Sequence, residues 1–176
     1  MQQNGVEPIL IEQLPAIGDA WRNRYERLHL HHLTDAMHLP GVKFPAHVPR
    51  YPSRLDLADY LEAYAALHRL DVRLSHRVLR LSKAGDGWQL LVQTPDSDTP
   101  IEFSAGQVVL AAGATGITPH VPSIRGSDRW SGQIIHSQNY VNAEPFVGKR
   151  VLVVGTGNSA IEILCDLHDH GARPSL

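Results

Sequence analysis

The segment RVLVVGTGNSAIEILCDLHDHGA, residues 150–172, holds the residues whose types and spacing best suit chemistry. Gly155-x-Gly157-x-x-Ala160 follows four consecutive apolar β-formers, Val151 to Val154, and opens an amphipathic helix. That is the setting in which a glycine turn binds the pyrophosphate of a dinucleotide. The first glycine allows the tight turn, the second lets the backbone approach phosphate closely, and a small third residue lets helix and strand pack, a need Ala160 meets. N–H groups at the helix start would hold the phosphates, with Asn158 and Ser159 beside the ligand. A tight strand-to-helix turn without a ligand is the plainer alternative. An acid or an arginine about 20 residues further on would separate ribose hydroxyl from 2′-phosphate recognition. The chain reaches Leu176 before that point, which leaves NADPH and NADH undistinguished.

Other reactive side chains form no comparable pattern. His29, His31 and His32 raise the question of a metal, because residues two apart on an extended strand share a face. With one cysteine and no spaced carboxylate pair nearby, none is expected. Cys165 stands at helical spacing with Ile161, Leu164 and His168 and reads as a packing residue. No nucleophile-elbow context accompanies any serine or cysteine, so nothing points to a hydrolase.

The elements that would position these groups follow from the apolar pattern. Ile9 to Ile11 reads as a short buried strand ending in an acid, Glu12. Leu14 to Pro52 is irregular, broken by Pro40-Gly41, Pro45, Pro49 and Pro52. Ser53 then caps a helix, Asp56 completes a capping box, and Leu57, Tyr60, Leu61 and Tyr64 make its apolar face. Val72 to Leu74, Val78 to Leu81, the alternating run Trp88, Leu90, Val92 and Thr94, and Ile101 with Phe103 predict strands, with Ala84-Gly-Asp-Gly87 as a hairpin turn. The apolar run Val108 to Ala112 predicts a buried strand ending at Gly113. Thr118 to Tyr140 is irregular, and Val151 to Val154 predicts the strand that feeds the glycine turn, whose helix ends at Gly171. The pattern is that of an α/β protein with an antiparallel meander, about residues 72–104, inserted into a parallel framework.

Composition sets outer limits. Across 176 residues, 43% are hydrophobic and 19% charged, which is ordinary for a globular chain. Sixteen Lys and Arg against 18 Asp and Glu give a net charge of −2 without a basic run, so no nucleic-acid partner is expected. No apolar stretch reaches the roughly 20 residues of a membrane span, and Met1-Gln-Gln-Asn lacks signal-peptide features. No membrane partner and a cytoplasmic location are the expectations.

Leu10-Ile-Glu12, Trp21, Tyr25-Glu-Arg-Leu28-His-Leu-His31, Tyr51-Pro-Ser-Arg, Tyr60-Leu-Glu-Ala-Tyr64, Val109-Leu-Ala-Ala-Gly113, Trp130-x-Gly-x-x-x-His136-x-x-x-Tyr140 and the glycine turn occur in one order. In that order the chain resembles the flavin-containing monooxygenases, nearest the YUCCA-type, indole-3-pyruvate monooxygenase branch, from Gly5 onward. The resemblance implies a flavoprotein of two Rossmann-like dinucleotide-binding domains, one for FAD and one for NAD(P). It also implies an incomplete chain. Residues 1–140 would be a partial FAD domain lacking its first strand and glycine loop, and residues 141–176 a linker and the first strand-turn-helix of the NADPH domain.

By the same resemblance, Glu12 would bind the FAD ribose, Trp21 and Arg22 would pass beside the flavin and pyrophosphate, and His31 would face the flavin's reactive edge. Ala112-Gly113 would end a strand near the FAD, with Ala112 replacing the usual Thr. Gly155, Gly157, Asn158, Ser159 and Ala160 would hold NADPH. His136 lies in a linker signature in which Trp130 replaces the usual Phe. His31 and His136 are the catalytic candidates, with a purely structural, hydrogen-bonding histidine as the other reading of His136. The implied reaction takes hydride from NADPH and inserts one oxygen of O2 into a small organic substrate through a flavin hydroperoxide, with oxidative decarboxylation of an α-keto acid as one form. N- or S-oxygenation, Baeyer–Villiger chemistry and an inactive truncated chain stay open beside it, as does the oligomeric state.

Overall fold

Ser53 starts the longest helix as its neighbours dictate. Its hydroxyl accepts from the Asp56 backbone N–H while the Asp56 carboxylate accepts from the Ser53 N–H at 2.8 Å, a reciprocal cap. In the computed structural model, which describes residues 5–113 and 119–176, this helix is α3, Arg54–Leu67. It follows β1 (Ile9–Ile11), α1 (Asp19–Arg22) and α2 (Thr34–Met37), and precedes β2 (Asp71–Arg73), β3 (Arg77–Ala84), β4 (Gly87–Thr94) and β5 (Ser97–Ala105). Beyond these lie β6 (Arg150–Leu152), α4 (Asn158–Asp169) and β7 (Arg173–Ser175). The chain divides into two compact units: residues 1–23 with 32–112, and residues 24–31 with 113–176.

In the first unit β1 and β2 pair in parallel, Ile9 against Asp71 and Ile11 against Arg73, with α3 in the connection. A parallel pair requires such a crossover. Leu57, Ala58, Tyr60 and Ala65 of α3 are buried, whereas Leu61 and Tyr64 of the expected apolar face are only half-buried. The aromatic members of that face hold the proline-rich loop. Tyr60 Oη accepts from Leu39 N at 2.6 Å and donates to Val42 O at 2.7 Å, its ring stacks 4.0 Å from Phe44, and Tyr64 Oη donates to Pro40 O at 3.2 Å. The stretch that reads as irregular thus contains two short helices and is fastened to α3. At Gly18, φ is +88° and an added Cβ would come within 2.8 Å of Ala58, so α1 meets α3 at a position only glycine allows.

The antiparallel meander is β3, β4 and β5, with Val92 and Leu90 buried in its central strand. It begins at Arg77; Val72 belongs to β2, which pairs with β1. The strand expected at Val108–Ala112 is not formed: these residues join no sheet, and Val109 and Leu110 are 72% and 80% exposed. Parallel strands need flanking neighbours for their ladder bonds, and among the described residues none lies alongside.

In the second unit β6 and β7 pair in parallel around α4, Arg150 against Arg173 and Leu152 against Ser175. β6 stops two residues short of the expected Val154, although Val153 N still donates to Ser175 O at 2.8 Å. β7 was invisible to the apolar pattern because it is Arg-Pro-Ser. Pro174 is tolerated there because, among the described residues, β7 pairs with no strand other than β6. α4 ends at Asp169 with His170 as its C-cap, and Gly171 follows with φ +82°. Tyr25, Tyr140, Ala143, Ile163, Leu167 and Ala172 form the core. The connection before Tyr140 carries short 3-10 turns at Ser127–Arg129 and Ser137–Asn139, and its expected start at Thr118 lies outside the described residues.

Candidate functional site

The glycine turn is built as its spacing demands. Gly155 has φ +127°, a backbone region closed to most side chains, and Gly157 is the N-cap of α4 in extended conformation. A Cβ at Gly157 would meet nothing within 4 Å, and one at Gly155 would lie 3.9 Å from Ala160 Cβ. Residues 155–159 are exposed, no side chain caps the helix, and its first turn holds no acid. The helix therefore presents free N–H donors and its positive dipole end to open space, the arrangement that receives an anionic phosphate.

One turn along α4, a cluster forms that the sequence reading missed. Glu162 Oε2 accepts from Tyr25 Oη at 2.7 Å, and Glu162 Oε1 pairs with His31 Nε2. Burial first, and then this carboxylate, push the Tyr25 phenol well above its usual pKa. At the other end of α4, Tyr140 Oη donates to the buried Asp166 at 2.6 Å, and Asp166 lies 3.2 Å from His170 Nδ1. Tyr140 is likewise raised by burial and by Asp166. A cavity of about 540 Å3 opens there, lined by Glu26, Arg27, Asn142, Glu144, Asp166 and His170. The only sequence signal for Glu162 was its place three residues after Ser159, on the same helical face.

The remaining candidates stand as follows. Glu12 closes the end of β1, with Oε1 accepting from Leu14 N at 2.8 Å. Trp21 is half-buried on α1. Arg22 is committed within the protein: its guanidinium donates to Ile17 O at 2.6 Å, Glu62 at 2.7 Å and Asp59 at 3.0 Å, and these carboxylates raise its pKa further. Ala112 and Gly113 are exposed, Gly113 with φ +81°. His136 is half-buried and caps the 3-10 turn at Ser137 by accepting from Gln138 N at 3.2 Å. The second unit thus brings His31 to the α4 helix that carries the glycine turn. Among the described residues no three metal-ligating side chains converge, and no helix is long and apolar enough to cross a membrane.

Residues 1–176 match throughout the family described as pyridine nucleotide-disulphide oxidoreductase. The chain belongs to that family. Among its relatives is the indole-3-pyruvate monooxygenase YUCCA8 of Oryza sativa subsp. indica, 35% identical over 180 residues, which span 99% of this chain and 42% of the relative. The chain therefore spans less than half the length of such relatives. A flavin-containing monooxygenase from Stenotrophomonas maltophilia superposes with a TM-score of 0.79 at 24% identity, covering 95% of this chain and 56% of the other. A bacillithiol disulfide reductase from Bacillus cereus gives 0.83 at 22%, covering 98% and 51%. Membership of the pyridine nucleotide-disulphide oxidoreductase family accounts for the mixed α/β framework, the antiparallel sheet and the glycine turn. Because a monooxygenase and a disulfide reductase share the framework, fold alone does not choose the reaction.

Proposed function

We propose that this chain carries the NADPH cradle and part of the FAD site of a flavin-dependent monooxygenase that uses O2 on a small organic substrate. One observation carries the reading: an uncapped, acid-free helix start at an exposed Gly155–Ser159 turn, on a sheet separate from the one that ends in Glu12. The family and its relatives imply FAD and NADPH. The chemistry those cofactors supply is hydride donation to a flavin and activation of O2 by it.

The chain's own residues bind and orient. Gly155 makes the turn, Gly157 leaves room for phosphate, the Asn158 and Ser159 N–H groups donate to pyrophosphate oxygens, and Ala160 keeps the helix close. Glu12, with one oxygen held by Leu14, would accept from ribose hydroxyls of FAD through the other. Trp21, Ala112 and Gly113 would border the same cofactor. Arg22 would reach it only by releasing Asp59 or Glu62. His136 holds its turn and so shapes the linker before Tyr140. An α-keto acid such as indole-3-pyruvate is the substrate class favoured by the relatives' names.

Titrating the chain with NADP+ by calorimetry tests the cradle. Gly157→Glu adds a carboxylate at a position where an added Cβ meets nothing within 4 Å, so binding should vanish while the circular dichroism spectrum is kept. Unchanged binding by that variant would sink the reading.

A further inference from the structure

Glu162 is an odd occupant of its site. It lies three residues beyond Ser159, about 4.5 Å along the axis at 1.5 Å per residue, so its carboxylate opposes an anion seated at the helix start. Its side chain is 17% exposed, and both oxygens are used, one for Tyr25 and one for His31. A carboxylate only accepts hydrogen bonds. The proton of a neutral His31 imidazole must then sit on Nε2, and Nδ1 is left with its lone pair directed away from Glu162. Among the described residues Nδ1 has no partner, and the side chain is 46% exposed. Tyr25, whose phenol also lies beside Ser159, fixes Glu162 from the other side.

We propose that Glu162 is a positioning residue of the dinucleotide site, holding His31 so that Nδ1 accepts a hydrogen bond from a ribose hydroxyl next to the bound pyrophosphate. This rests on the reading of Gly155–Ser159 as the NADPH cradle. It moves His31 from the flavin's edge to the nicotinamide nucleotide, within the one unit that contains both His31 and the turn.

The sign of one substitution separates this role from a bystander charge. If Glu162 acted only through its charge, Glu162→Gln would relieve repulsion and tighten NADP+ binding. As a positioning residue its loss frees the imidazole, and NADP+ binding weakens about 3- to 10-fold, the value of one neutral hydrogen bond. His31→Phe should lose a similar factor, and the double variant no more than either single one, because Glu162 acts through His31. The readout independent of binding is the 15N spectrum of His31 in the whole chain at about pH 8, where an ordinary imidazole is neutral. It should show the Nε2–H form, and a mixture in Glu162→Gln. Tighter binding by Glu162→Gln, additive losses in the double variant, or an Nδ1–H form of His31 would each overturn the proposal while the cradle reading stands. Failure of the unsubstituted chain to bind NADP+ would overturn both.

Discussion

Tyr25 and Tyr140 each spend a hydroxyl on a carboxylate of α4, and that shared choice makes the second unit sensitive to alkali. Both are buried, 7% and 4% exposed, and burial raises each phenol's pKa before Glu162 or Asp166 adds to it. In the unfolded chain a tyrosine ionises near pH 10. Below that pH both states are protonated and stability is complete. Above it the unfolded chain releases protons the folded chain retains, so stability falls with rising pH, by up to about 1.4 kcal/mol per pH unit for each tyrosine. Urea unfolding followed from pH 8 to 11 should show this decline, and Tyr140→Phe should make it shallower. At neutral pH the same variant leaves Asp166 Oδ2 without its donor and should cost about 1–3 kcal/mol. These tyrosines stood in the sequence as members of motifs. Their partners could not be read there, because Tyr25 and Glu162 are 137 residues apart and meet only through the fold.

Among elements, α1 against α3 is the contact with least tolerance. Gly18→Ala would meet Ala58 at 2.8 Å and also stand at φ +88°, whereas Gly41→Ala, at φ +82°, meets nothing within 4 Å. The second should cost about 1–2 kcal/mol, the conformational penalty alone. The first should cost about 1–3 kcal/mol more through overpacking, and thermal melts of the pair isolate the difference. Ser53→Ala removes one side of the reciprocal cap and should cost about 1 kcal/mol. α3, its cap, the hairpin at 84–87 and the glycine turn were legible because each is written locally, in caps, alternation and turn residues. The non-strand at Val108–Ala112 and the strand Arg173–Ser175 were not. Strand formation depends on a neighbour, so an apolar run can lie unpaired while a polar Arg-Pro-Ser pairs. Among site residues the glycine turn was legible for the same local reason, whereas the anchoring of Arg22 by Asp59 and Glu62 needed a helix remote in sequence.

At the scale of the molecule, strands are unevenly supported. The meander has three strands, while β1–β2 and β6–β7 are pairs of three-residue strands, and Leu152 and Val154 are 68% and 64% exposed. Two-stranded sheets are marginal by themselves, so opening should be local and graded. Hydrogen exchange should find the slowest strand amides in β4 and faster ones in β1 and β6, and equal protection throughout would contradict it. The chain's path also has a temporal consequence. Residues 24–31 belong with 113–176, although residues 32–112 separate them. During vectorial synthesis on the ribosome, Tyr25 and His31 emerge long before Glu162 exists to receive them. That eight-residue tether must wait for nearly the whole polypeptide. A single protease nick between 112 and 113 would leave residues 24–31, a piece of the second unit, on the fragment that carries the first.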